Sequence, residues 1–176
     1  MGLDSTSEGT PNRARAFFSF PNPVNEVSAR LVAAGVVLMC VLTIALDLRW
    51  ATIVIAYGFV ARVLTGPTLS PLGQFVTRVV TPRLGIAERP VAGPPKRFAQ
   101  GMGVAFSVTA LVLTGLGFWT AAEVFLGLLA AAAFLESAFG LCLGCKAFAI
   151  LMRVGVVPEE VCERCNDIWG ARGVTA

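Results

Sequence analysis

Four of the chain's five cysteines form two pairs, Cys142/Cys145 and Cys162/Cys165, in the spacing C-x2-C-x16-C-x2-C. Thiols three residues apart share a helix face or meet across a turn. Such a dithiol cycles to a disulfide when a helix N-terminus or a nearby cation favours the thiolate. The same spacing falls in the window of four-thiolate zinc sites, where two short turns wrap one tetrahedral ion. Thiol redox chemistry and zinc binding through Cys142, Cys145, Cys162 and Cys165 are therefore both open, beside a third reading in which the pairs are unrelated and inert. Histidine is absent, which excludes His general bases, Ser/His or Cys/His nucleophile pairs and His-containing zinc sites.

The first pair ends a long apolar run, so its surroundings depend on where that run lies. The 176 residues are 56% hydrophobic and 14% charged, with mean hydropathy +0.75. That is more apolar surface than one soluble core of this size buries. The solvent expected for it is a lipid bilayer. The net charge of +3 is small and the basic residues scatter among prolines, a pattern that argues against nucleic acid as a partner. The polar, turn-rich stretch before residue 25 lacks the apolar centre of a secretory signal peptide, so the first hydrophobic run is expected to be retained as a span.

A span needs roughly 20 mostly apolar residues. Four candidates meet this: Leu31 to Leu46, extendable back to Val27; Leu48 to Thr65; Gly101 to Ala122; and Val124 to Cys145. Turns are expected at Asp47 to Arg49 and at Trp119 to Glu123. The expected fold class is an all-α membrane protein, four transmembrane helices in two hairpins. Residues 1–24 would be a disordered polar tail, 25–156 the membrane domain and 157–176 a short cytoplasmic helical tail. Arg49 would be the only one of 14 Lys and Arg residues on the side of the short turns. The positive-inside bias then places both termini and the loop 66–100 in the cytoplasm.

In that loop Leu69, Leu72, Phe75, Val76, Val79 and Val80 recur at helical spacing, which predicts an amphipathic interfacial helix between spans two and three. Pro82 is expected to stop it. Pro90, Pro94 and Pro95 argue against a regular element before Arg97.

Glu136 stands nine residues before Cys145, about 13 Å deeper on a continuous helix at 1.5 Å per residue. A carboxylate at that depth is costly unless paired or neutral. Arg62 and Arg30 are the expected partners, the alternative being a protonated Glu136 bonded to a Ser or Thr. Ala133, Ser137, Gly140 and Gly144 mark a small-residue face suited to close helix packing, within the bundle or between protomers. Cys40, mid-span, reads as an apolar filler. At the end of a span the helix dipole disfavours a thiolate at Cys145, unless the chain breaks at Gly144 and a new helix begins.

Three blocks, Thr81-Pro82-Arg83-Leu84-Gly85, Pro95-Lys96-Arg97-Phe98-Ala99-Gln100 and Phe134-Leu135-Glu136-Ser137-Ala138-Phe139-Gly140-Leu141-Cys142-Leu143-Gly144-Cys145, together resemble a bacterial membrane family catalogued as domain of unknown function 4395. The similarity covers about residues 20 to 153. The chain departs from the family pattern at Glu136, where an Asn is familiar, and in adding Cys162/Cys165. The resemblance implies the bacterial inner membrane, no established activity, and a CxGC pair that occurs without a second one. It shifts the weight from four-cysteine zinc toward Cys142/Cys145.

The expected function is thus a cytoplasm-facing dithiol, Cys142/Cys145, exchanging electrons or sulfur with a thioredoxin-like or sulfurtransferase-like soluble partner. Cys162/Cys165 would resolve the mixed disulfide, with no cofactor required. One alternative is a structural four-cysteine zinc site. The other is a small-solute transporter or membrane adaptor, for which four spans would require a homodimer.

Overall fold

A computed structural model describes residues 24–85, 90–91 and 93–156 of the chain. The expected tails, with Cys162 and Cys165, lie almost wholly outside the described residues. Among the described residues seven α-helices carry the architecture: α1 (Glu26–Ala45), α2 (Ala51–Thr65), α3 (Pro71–Phe75), α4 (Thr81–Leu84), α5 (Gly93–Gly115), α6 (Trp119–Phe139) and α7 (Leu143–Arg153). A π-helical turn, Val76–Val80, joins α3 to α4. Two residues at each entry to the bundle, β1 (Val24–Asn25) and β2 (Pro90–Val91), pair antiparallel, Val24 opposite Val91.

Local signals account for most boundaries. Asn25 caps α1, its side-chain oxygen accepting the Val27 N–H at 3.0 Å. Asp47 turns the chain toward α2 with φ 51°, tolerable for an aspartate. Gly117 at φ 86° closes the α5–α6 turn. That turn falls at Leu116–Phe118, before Trp119 rather than after it, because α5 begins earlier than hydropathy predicts. Pro94 and Pro95 sit in its first turn, where a missing N–H costs no intrahelical bond. The prolines expected to exclude a helix instead start one, and α5 thereby carries Lys96, Arg97 and Gln100.

Pro82 likewise does not end the interfacial helix. The Thr81 N–H bonds to the Val76 carbonyl, five residues back, a π-turn that widens the helix where the proline would otherwise clash.

Three helices, α1, α5 and α6, are long and apolar enough to cross a membrane; α2, of 15 residues, is shorter than the expected second span. At 1.5 Å per residue it reaches about 22 Å, against a hydrocarbon core of roughly 30 Å. The consecutive α1 and α2 pack little on each other, whereas the consecutive α5 and α6 pack closely. The most extensive packing joins α1 to α6 and α2 to α5, and α5 also packs on α6 and α7.

Polarity is inverted relative to a soluble bundle. Leu38, Leu46, Ile53, Val112, Val124 and Leu128 face outward, while Thr43, Thr52, Thr65, Ser107, Arg62 and Lys96 are buried. Water would not support such a surface over most of the bundle; lipid does. The buried hydroxyls are satisfied locally: Thr43 donates to the Met39 carbonyl at 2.7 Å and Thr65 to the Ala61 carbonyl at 2.9 Å. Between helices, Ser28 and Thr81 share a hydrogen bond of 3.0 Å. Small residues let backbones approach. A Cβ on Gly103 would sit 2.2 Å from the Phe59 ring, and one on Gly144 would sit 2.4 Å from the Ala99 Cα. Cys40 is fully buried in this core, as expected of a filler.

Candidate functional site

The chain leaves α6 through Gly140, left-handed at φ 68°. The N–H groups of Gly140 and Leu141 return to the carbonyls of Glu136 and Leu135 at 3.0 and 3.1 Å, the first being the 5→1 bond of an αL closure that uses glycine's freedom. Arg30 finishes that helix end from α1. Its Nε and Nη2 donate to the Ser137 carbonyl at 3.1 and 3.0 Å, and Nη2 donates to the Ala138 carbonyl at 2.9 Å. A cation at a helix C-terminus meets the negative end of the dipole.

Because the break is at Gly140, the cysteine pair belongs to the start of α7 rather than the end of α6. Cys142 is the N-cap, extended at φ −81° and ψ 102°, and its Sγ accepts the Cys145 N–H at 3.3 Å. The expected small-residue face of one helix is accordingly divided: Ala133 packs inside α6, Gly140 ends it, and Gly144 seats α7 on the backbone of α5 at Ala99. These seams are intramolecular.

The two thiols are driven apart in acidity. A hydrogen bond from the Cys145 thiol holds Cys142 below the ordinary thiol range, and the Lys96 ammonium and the Cys145 backbone N–H pull the same way, against burial and Glu136. The same thiol–thiol hydrogen bond, with burial, pushes Cys145 up. A low-pKa thiol beside a protonated neighbour is the asymmetry a dithiol needs to attack and then resolve. Both cysteines are free thiols, Cys142 buried and Cys145 half-buried.

Cys142 opens onto a mostly apolar cavity of ≈ 270 Å³ enclosed by α1, α2, α5, α6 and the start of α7. Its polar wall gathers Arg62, Lys96, Gln100, Glu136 and Cys142. Lys96 Nζ lies 2.5 Å from Glu136 Oε1, an ion pair with side chains only 10% and 20% exposed. Glu136 is therefore paired, as its depth demands, but with Lys96 rather than Arg62 or Arg30. Arg62 lays its guanidinium over the Phe59 ring at 4.3 Å and donates from Nε to the Gly58 carbonyl at 2.9 Å. Gln100 Oε1, also on this wall, is the one buried side-chain oxygen without a hydrogen-bond partner among the described residues.

Of the residues singled out from sequence, Cys142, Cys145, Glu136 and Arg62 come together, Arg30 buttresses them from outside, and Cys162 and Cys165 lie outside the described residues. Lys96 and Gln100 were not anticipated. They stand four apart on one helix face, but only a helix starting at Gly93 turns them inward. Among the described residues no group of three or more acidic or cysteine side chains has a metal-binding arrangement.

No curated protein and no solved structure matches the chain. The family model described as a domain of unknown function, DUF4395, matches residues 24–153. That stretch holds every residue of the cavity wall and ends before Cys162. The chain is a member of the DUF4395 family.

Proposed function

We propose that this membrane protein performs thiol–disulfide exchange through Cys142 and Cys145. The three long helices α1, α5 and α6 would cross the inner membrane, and the shorter α2 with them, helped by Leu48 to Trp50, leaving α7 and both termini on the cytoplasmic side. The observation that carries the reading is Cys142 as N-cap of α7, accepting the Cys145 N–H at 3.3 Å. A sulfur so placed is stabilised as thiolate by the helix N-terminus.

The roles follow from the split in acidity. In the oxidised form, a thiolate from a thioredoxin-like partner attacks the half-buried Cys145 sulfur, and Cys142 departs as the better leaving group. The partner's second thiolate then releases Cys145, leaving the partner oxidised and the pair reduced. Cys162/Cys165 could serve the same step from the tail.

Equilibrating the purified protein in glutathione redox buffers and quantifying the disulfide by mass spectrometry tests this. The expected result is one reversible Cys142–Cys145 disulfide. One zinc per chain with four protected thiols, in protein purified without chelator, would overturn it in favour of a structural site.

A further inference from the structure

The cavity wall holds more polar chemistry than two thiols need. Arg62, Lys96, Glu136 and Gln100 line a mostly apolar space together with Cys142, and Cys145, the other half of the dithiol, does not line it. The pair thus stands between two environments, with Cys145 toward the bundle surface and Cys142 toward an interior compartment.

We propose that this cavity binds a membrane quinone, which accepts the two electrons of the Cys142/Cys145 dithiol; the inference rests on the exchange reading above. Three observations select that class of acceptor. Phe59, Phe106 and Leu129 supply flat and apolar walls, and ≈ 270 Å³ is near the lower limit of ligand pockets, roughly 300–1,000 Å³. A single ring fits, whereas a nicotinamide or flavin dinucleotide does not. The Lys96 ammonium is a donor for a quinone carbonyl, and the orphaned Gln100 Oε1 is an acceptor for the hydroxyl that forms on reduction. Leu128 lines the cavity and is also exposed on the outer apolar face of α6, a side on which a prenyl tail would pass into the bilayer.

The step balances as follows. The Cys142 thiolate adds to a ring carbon, forming a C–S bond, and one carbonyl oxygen becomes an enolate held by Lys96. Cys145, deprotonated, attacks Cys142 Sγ. The S–S bond forms, the C–S bond breaks, and its electron pair enters the ring. The two protons given up by the thiols, relayed through the Lys96–Glu136 pair, end on the quinone oxygens. Dithiol and quinone become disulfide and hydroquinone, without another oxidant.

The experiment uses the full chain, reduced and free of air in lipid nanodiscs, with duroquinone, whose fully substituted ring forms no stable thioether. The expected result is one quinone reduced per dithiol lost, with Ala132→Phe, at a residue that lines the cavity, slowing the reaction at least roughly tenfold and Val112→Phe, on the exposed outer face of α5, leaving it near wild type. Should Ala132→Phe fail to fold, Gln100→Leu replaces it, expected to raise KM for the quinone more than it lowers kcat. Equal rates in the Ala132→Phe and wild-type proteins would overturn the inference by placing the reaction at the surface. Wild-type protein that forms its disulfide with oxidised glutathione but leaves duroquinone untouched would overturn the quinone and leave the exchange reading standing. Reaction with neither would remove both.

Discussion

Lys96 Nζ and Glu136 Oε1 meet at 2.5 Å between the first turn of α5 and the last turns of α6. This pair joins the two ends of the α5–α6 hairpin at the level of the cysteines. It also supplies both the cation beside Cys142 and the carboxylate that opposes it.

Removing Lys96 takes the direct ion-pair partner from the buried Glu136 carboxylate and leaves it only the longer-range field of Arg62, so Lys96→Met is expected to destabilise the protein by about 3–5 kcal/mol. Lys96→Met with Glu136→Leu should recover most of that loss, since an apolar pair of similar volume avoids desolvating charge. Unfolding in mixed micelles across the four-member cycle checks this. An additive double variant would mean the pair contributes no coupling.

Cys142 should be alkylated at a pH below the ordinary thiol value of 9.0. The sign follows from its depressed pKa. The thiolate's contribution to the stability of the reduced fold is present above the unfolded-state value and is lost as pH falls through the folded one. Cys145→Ala removes the largest cause, the thiol hydrogen bond, and should move the alkylation midpoint upward. Mass spectrometry of iodoacetamide labelling against pH reads both.

Gly144→Ala places a Cβ 2.4 Å from the Ala99 Cα and 2.5 Å from its Cβ. Backbone cannot step aside as a flexible side chain can, so α7 must lift from α5, at roughly 1–3 kcal/mol. The cap at Cys142 should loosen with it. Faster labelling of Cys145 and a Cys142 midpoint closer to an ordinary thiol are the expected readouts.

Arg49 lies in the α1–α2 turn, its guanidinium 5.3 Å from the Trp119 ring at the start of α6, while Arg30, Lys96, Lys146 and Arg153 belong to the cysteine end. With that bias the proposed topology puts the cysteine end in the cytoplasm. Impermeant labelling of single cysteines placed at Asp47 and at Val154 should mark the first from outside and the second only after permeabilisation. The reverse pattern would invert the topology.

Much of the bundle was legible in the sequence because lipid imposes a coarse rule: about 20 apolar residues per crossing, no unpaired backbone, charge at the ends. That rule finds α1, α5 and α6, and helical periodicity finds the helical segment at Pro71–Leu84. It misplaces the start of α5, since hydropathy weighs Pro94, Pro95, Lys96 and Arg97 as loop, whereas a helix accepts prolines in its first turn. It also runs the last span through Gly140, where a left-handed glycine and Arg30 on the Ser137 carbonyl end it.

The site itself divides along the same line. Its inventory, a CxxC pair, one deep carboxylate and no histidine, is a matter of residue types and spacing, and the sequence alone determines it. Which cation meets Glu136 and that Gln100 faces the same cavity depend on residues far apart in the chain, such as Lys96 and Glu136, 40 positions apart. Only tertiary packing decided these. A carboxylate in lipid must find a counterion, but whether Arg30, Arg62 or Lys96 supplies it rests on how α5 and α6 seat against each other, a geometry that no local pattern encodes.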